Sequence, residues 1–183
     1  MARTVTEARQ TGWRALLARW QDALLLLLAV LFLAYLAHRS DSGPPAGARA
    51  ASFELPLVGA DGRFRFDGPR DRPLLVEAFA SWCGACRRSG SIVEGLEEAS
   101  DGEKLDILLV SVDDSSSAAL RAKQSWPIGL PVAFDERGAF QRAYGISVLP
   151  TFVLIGTDGR ILDVSTGPPG ASTIRGWLRA GDP

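Results

Sequence analysis

The sequence is poor in residues that bind metals or cross-link a fold: its 183 residues include two cysteines, one histidine and one methionine. Two cysteines cannot build a multi-bridge scaffold, which needs more of them at wider spacing. Cys83 and Cys86 are separated by only two residues, so neither closes a long loop. A tetrahedral zinc site wants further Cys or His ligands, and the single histidine, His38, lies far back along the chain. Charge of one sign is also lacking. The 20 Lys and Arg against 21 Asp and Glu leave a formal charge of -1, which gives no basic field for nucleic acid. No internal repeat is apparent.

Long apolar runs are limited to one. Ala23 to Ala37 reads ALLLLLAVLFLAYLA, with Trp20 and Tyr35 near its ends, where interfacial aromatics sit. Arg3, Arg9, Arg14 and Arg19 precede it against Glu7 and Asp22. That excess predicts a single-pass anchor with its N-terminus inside and the remainder facing away from the cytoplasm. The predicted organisation is a cytoplasmic segment over 1–22, a transmembrane anchor over 23–39, a flexible linker over 40–51 and a folded domain over 52–183. A span usually needs about 20 residues, so a cleaved signal peptide competes with the anchor. The long lead-in to residue 22 and the distance to a small-x-small stretch at Ala46-Gly47-Ala48 weigh against cleavage. A buried core helix fits less well, because the run is apolar all round. Ser40 to Ala51 (SDSGPPAGARAA) has the Gly, Pro and Ala content of a tether.

Alternation and turn chemistry organise the rest. Phe53-Glu54-Leu55 and Arg63 to Phe66 flank Asp61-Gly62, a hairpin signal. Leu74 to Phe79 (LLVEAF) and Leu105 to Val112 (LDILLVSV) read as buried strands. Helical spacing follows from Cys86 to Ala99, and Ser115-Ser116-Ser117 marks a second helix start. A short strand at Val132 to Phe134, a short helix ending at Gly145, a hairpin about Asp158-Gly159 and a last helix over Ala171 to Ala180 complete the chain. The order predicts an α/β fold, a mixed central sheet with helices on both faces.

Cys83 follows a buried strand and opens a helix, where free backbone N–H groups and the positive dipole end favour a thiolate. Cys86, a turn further on, can resolve a mixed disulfide formed at Cys83. Glu77, apolar on both sides, is a candidate buried carboxylate with a raised pKa that exchanges a proton with Cys86; a solvent-facing edge charge is the plainer alternative. Pro150 begins a strand, where proline is awkward, and either a cis turn or a trans strand start fits. No resident cofactor or metal is expected. Copper(I), which accepts two thiolates, stays open as a competing use of the pair, and an inert structural disulfide is a weaker one. Arg87 and Arg88 read as solvated helix charges.

Together these residues resemble the thioredoxin family. The run Val76 to Cys86 (VEAFASWCGAC) is similar to its active-site stretch, with Glu77 at the place of the buried acidic residue. Gly145 to Thr151 (GISVLPT) resembles the segment that carries the family's cis-proline. The anchor, the extra N-terminal β-hairpin and an inserted βα unit are closest to membrane-tethered members of the TlpA, ResA and cytochrome c maturation type. The resemblance implies a three-layer thioredoxin-like fold with Cys83, Cys86, Glu77 and Pro150 as catalytic residues, and Trp82 and Leu149 docking substrate. It also implies a bacterial inner-membrane anchor with the domain in the periplasm or outside the cell, disulfide-containing extracytoplasmic clients, in cytochrome c maturation or copper-centre assembly, and a membrane electron donor. Ala85 departs from the family's proline, and it is no histidine of the kind that oxidising members carry, which points to a reductant. A disulfide oxidase or isomerase is the alternative.

Overall fold

The computed structural model describes residues 20–35, 43–99, 104–126 and 129–180, and the chain divides into two units, 1–41 and 42–183. In the first, α1 (20–35) is a helix exposed along its whole length, with leucines on every side. At 1.5 Å per residue it is about 24 Å long, against a hydrocarbon core of about 30 Å. Among the described residues no helix is long and apolar enough to cross a membrane. The arginine-rich lead-in and the stretch 36–42 lie outside the described residues.

The second unit carries the elements read from the sequence, in the same order. Strands β1 (Phe53–Pro56) and β2 (Arg63–Phe66) form the antiparallel hairpin. A five-stranded mixed sheet has the order β5-β4-β3-β6-β7, from β3 (Leu74–Phe79), β4 (Asp106–Ser111), β5 (Val132–Phe134), β6 (Thr151–Ile155) and β7 (Ile161–Thr166). β3 runs parallel to β4, as a crossover connection requires, and antiparallel to β6, which pairs with β7 as a hairpin. Helices α2 (Gly84–Ala99), α3 (Ser116–Ser125), α4 (Ala139–Ala143) and α5 (Ala171–Ala180) connect or close them.

Strand parity decides the layers. Leu75 and Phe79 of β3 share a core with Val93 and Leu96 of α2, Ala119 and Ala122 of α3 and Trp177 of α5. Leu74, Val76 and Ala78 face the other way, onto Phe140 and Tyr144 of α4 and onto Leu55 and Phe66 of the hairpin. Phe53 joins this second core, edge-on to Phe140 at 5.2 Å. Every residue of β3, the strand that leads to the cysteines, is buried, as are those of its neighbour β6.

One stretch differs from its reading as a free linker. From Gly43 onward the chain is hydrogen-bonded to the domain: Gly43 N–H to Gly145 O (3.2 Å), Gly47 N–H to Ile161 O (2.8 Å) and Ala50 N–H to Gly159 O (2.9 Å). Gly43 has φ +102°, and a Cβ there would meet Val164 Cγ1 at 2.5 Å, so only glycine permits this approach. The bonds are backbone to backbone, which a Gly- and Pro-rich composition neither announces nor prevents.

Candidate functional site

The site lies at the C-terminal end of β3. The chain turns there within Ala80 to Cys83, closed by Cys83 N–H to Ala80 O at 3.0 Å, and enters α2 at Gly84. Cys83 thus occupies the cap position, and no acidic residue in the first turn competes for the helix dipole. The two cysteines form a disulfide with Cα atoms 5.3 Å apart. Cys86 N–H points at Cys83 Sγ, 3.1 Å away, so opening the bond leaves a thiolate at Cys83 already facing a donor. Cys83 is 7% exposed and Cys86 1%, so an incoming disulfide meets Cys83 first.

Glu77 stands on the α2-facing side of β3, opposite Phe152 and Leu109 in the neighbouring strands. It is buried, as the sequence suggested, rather than an edge charge. The Ser89 hydroxyl lies 2.7 Å from Oε1 and 2.9 Å from the Cys86 carbonyl oxygen, while Oε2 is buried with no hydrogen-bond partner. Burial raises the Glu77 pKa from 4.5 to about 8, with the Ser89 hydrogen bond pulling the other way. One serine proton cannot serve two acceptors fully. The Ser89 hydroxyl donates to Oε1 and also reaches the Cys86 carbonyl, so it links the carboxyl to the backbone of the resolving cysteine. Ser89 was not singled out in the sequence; its spacing of three from Cys86, on one helix face, is the signal it offered.

Leu149–Pro150 is a cis peptide bond. Ala78 pairs with Thr151, so Pro150 sits at the sheet end where β3 gives way to the cysteine turn. Thr151 Oγ1 donates to Val148 O at 2.7 Å, and Gly167 N–H to Pro150 O at 2.8 Å, fixing this loop from both sides. Leu149 packs against the core cluster that contains both cysteines. Trp82, beside Cys83, is 74% exposed, and Val148 is exposed as well. Arg87 and Arg88 are exposed, as solvated helix charges are, and the Arg87 guanidinium lies 5.7 Å from the Trp126 ring centroid. The geometry therefore offers a surface thiol, a covered resolving thiol, a proton-holding carboxyl behind it and an apolar rim.

The Redoxin family model matches residues 45–176. The thiol:disulfide interchange protein CycY of Rhizobium leguminosarum is 32% identical over 136 residues, 73% of this chain but only 66% of CycY. The thiol-disulfide oxidoreductase ResA of Geobacillus thermodenitrificans is 24% identical over 86% of this chain and 91% of ResA. Among solved structures, a thiol:disulfide interchange protein of DsbE type from Chlorobium tepidum superposes with a TM-score of 0.68 at 25% identity, covering 75% of this chain and 97% of that one. The chain belongs to the Redoxin family, and its folded domain is a thioredoxin-like thiol–disulfide oxidoreductase of the ResA and CycY type.

Proposed function

We propose that the protein is a membrane-tethered reductase that works outside the cytoplasm and passes two electrons from the Cys83–Cys86 dithiol to disulfides of client proteins. The observation that carries the exchange chemistry is the division of labour between a cap-position Cys83 and a covered Cys86 backed by Glu77 and Ser89. In the reduced protein the Cys83 thiolate attacks one sulfur of the client disulfide, forming a mixed disulfide and releasing the first client thiolate. Cys86 then gives its proton to the ionised form of Glu77 and attacks Cys83 Sγ. The Cys83–Cys86 disulfide forms, the second client thiolate leaves, and the client is reduced by two electrons.

Ala85 supports the reducing direction, since it adds no cation or donor that would favour the dithiolate form. The arginine excess before the apolar run supports the extracytoplasmic location. Apocytochrome c or a copper-centre assembly protein is the client class, and a membrane dithiol protein the electron donor. Equilibration of the purified chain with glutathione tests the direction: a potential near about -270 mV is expected, and one near about -120 mV makes the protein an oxidant instead. Insulin reduction in the presence of dithiothreitol tests the activity. The Cys83→Ser variant should lose it entirely, and equal turbidity from variant and wild type removes the reading.

A further inference from the structure

We propose that Asp113 is a positioning residue for the redox pair, holding through Ser81 the turn that sets Cys83 at the N-terminus of α2. The turn from β3 into α2 is closed by one backbone hydrogen bond, Cys83 N–H to Ala80 O. Ser81, inside that turn, points its N–H outward at both oxygens of Asp113, each at 3.0 Å, and its hydroxyl donates to Oδ1 at 2.7 Å. Asp113 is held from its own side by Ser111, whose hydroxyl donates to Oδ2 at 2.8 Å. Ser111 is in register with Phe79, and Val112 N–H donates to Phe79 O at 2.9 Å, so the clamp begins where the β3–β4 ladder ends. The carboxylate is 6% exposed. Burying it costs desolvation that an ordinary turn residue does not require, and its donors come from the cysteine loop and the adjoining strand.

The clamp matters most after reduction. While the disulfide is closed, the Sγ–Sγ bond itself locates Cys83. Once it opens, the turn alone keeps Sγ facing Cys86 N–H, and the turn is held by Asp113. The inference rests on the thiol chemistry of the domain and not on the client, so alkylation of the reduced full chain by iodoacetamide is the readout. Asp113→Asn should alkylate about tenfold more slowly than wild type at pH 7, because a misdirected thiolate loses its aligned donor. The same variant should shift its glutathione equilibrium toward the closed disulfide by a similar factor. Ser81→Ala, which keeps the N–H contacts and loses the hydroxyl, should slow alkylation about threefold. Ser81→Thr, which keeps both donors, should restore the wild-type rate. A residue with only a structural role lowers the melting temperature and leaves both thiol readouts of the folded protein at wild-type values; that result for Asp113→Asn overturns the proposal. Should Asp113→Asn not fold, an unchanged alkylation rate in Ser81→Ala overturns it as well.

Discussion

Glu77 and Asp113 are two buried carboxylates that flank the same strand-to-helix turn, and they are built in opposite ways. Glu77 touches one hydroxyl, and its second oxygen meets no partner. Asp113 receives the Ser81 N–H on both oxygens and a hydroxyl on each. A carboxyl left short of donors in a dry place favours its neutral form and can hand a proton on. One surrounded by donors is fixed in place and fixes its donors in turn. The site therefore separates the group that moves a proton, on β3, from the group that holds the backbone, two residues past the end of β4.

Removing the chemistry of Glu77 should have the larger consequence. Its carboxyl keeps a proton in the folded state up to about pH 8 but ionises near 4.5 in the unfolded chain. The folded state thus binds more protons across that window, and stability falls as pH rises from about 4.5 to 8, by on the order of 4 kcal/mol from this group. Glu77→Gln removes that slope. Urea unfolding of the oxidised variant at pH 5 and pH 8 should show it gaining on wild type at the higher pH; an equal difference at both values contradicts the raised pKa. The same variant should resolve mixed disulfides roughly 10²-fold more slowly, read by quenched-flow capture of the intermediate.

Ser89→Ala acts on the same carboxyl through its one partner. The Ser89 hydrogen bond lowers the Glu77 pKa, so its loss moves the pKa above about 8 and extends the falling limb of stability to higher pH. Both Glu77 oxygens are then buried without partners, at a cost of about 1–3 kcal/mol. Unfolding measured between pH 7 and 9.5 should show stability still declining where wild type has levelled off. A variant that levels off with wild type excludes Ser89 as the group that tunes Glu77.

The two carboxylates were unequally legible in the sequence. Glu77 was legible in part: a charge inside LLVEAF, apolar on both sides, pointed inward, with a solvent-facing edge charge as the alternative that its burial on the α2 side removes. Asp113 sits before Ser115-Ser116-Ser117 and reads as part of a helix start, and Ser115 does cap α3, accepting from Ala118 N–H at 3.3 Å. Its clamp on Ser81 spans 32 positions, a tertiary contact with no local signature. Ser89 is hidden for the same reason, as a polar residue in a helix whose partner lies on β3. Strands and hairpins were legible throughout, since alternation and the Asp-Gly turns are local. The docking of 43–50 was not, because its bonds are made by the backbone.

Ser111→Ala gives the smallest expected effect and the sharpest distinction between the carboxylates. It removes one donor to Asp113 Oδ2 and the acceptor of the Asp113 N–H (3.3 Å), yet Oδ2 keeps the Ser81 N–H, so no buried acceptor is orphaned. The loss should be about 1–2 kcal/mol in urea unfolding, the ordinary worth of the hydrogen bonds that the hydroxyl makes. Alkylation of Cys83 should stay within about twofold of wild type, because the contacts that cross to the loop are intact. The contrast with Ser89→Ala is then one of redundancy: each substitution deletes a single serine hydroxyl beside a buried carboxylate, but only Glu77 has nothing else to accept from. If Ser111→Ala slowed alkylation as much as Ser81→Ala, the clamp would depend on where β4 holds the carboxylate, and the strand end would belong to the positioning device together with Asp113.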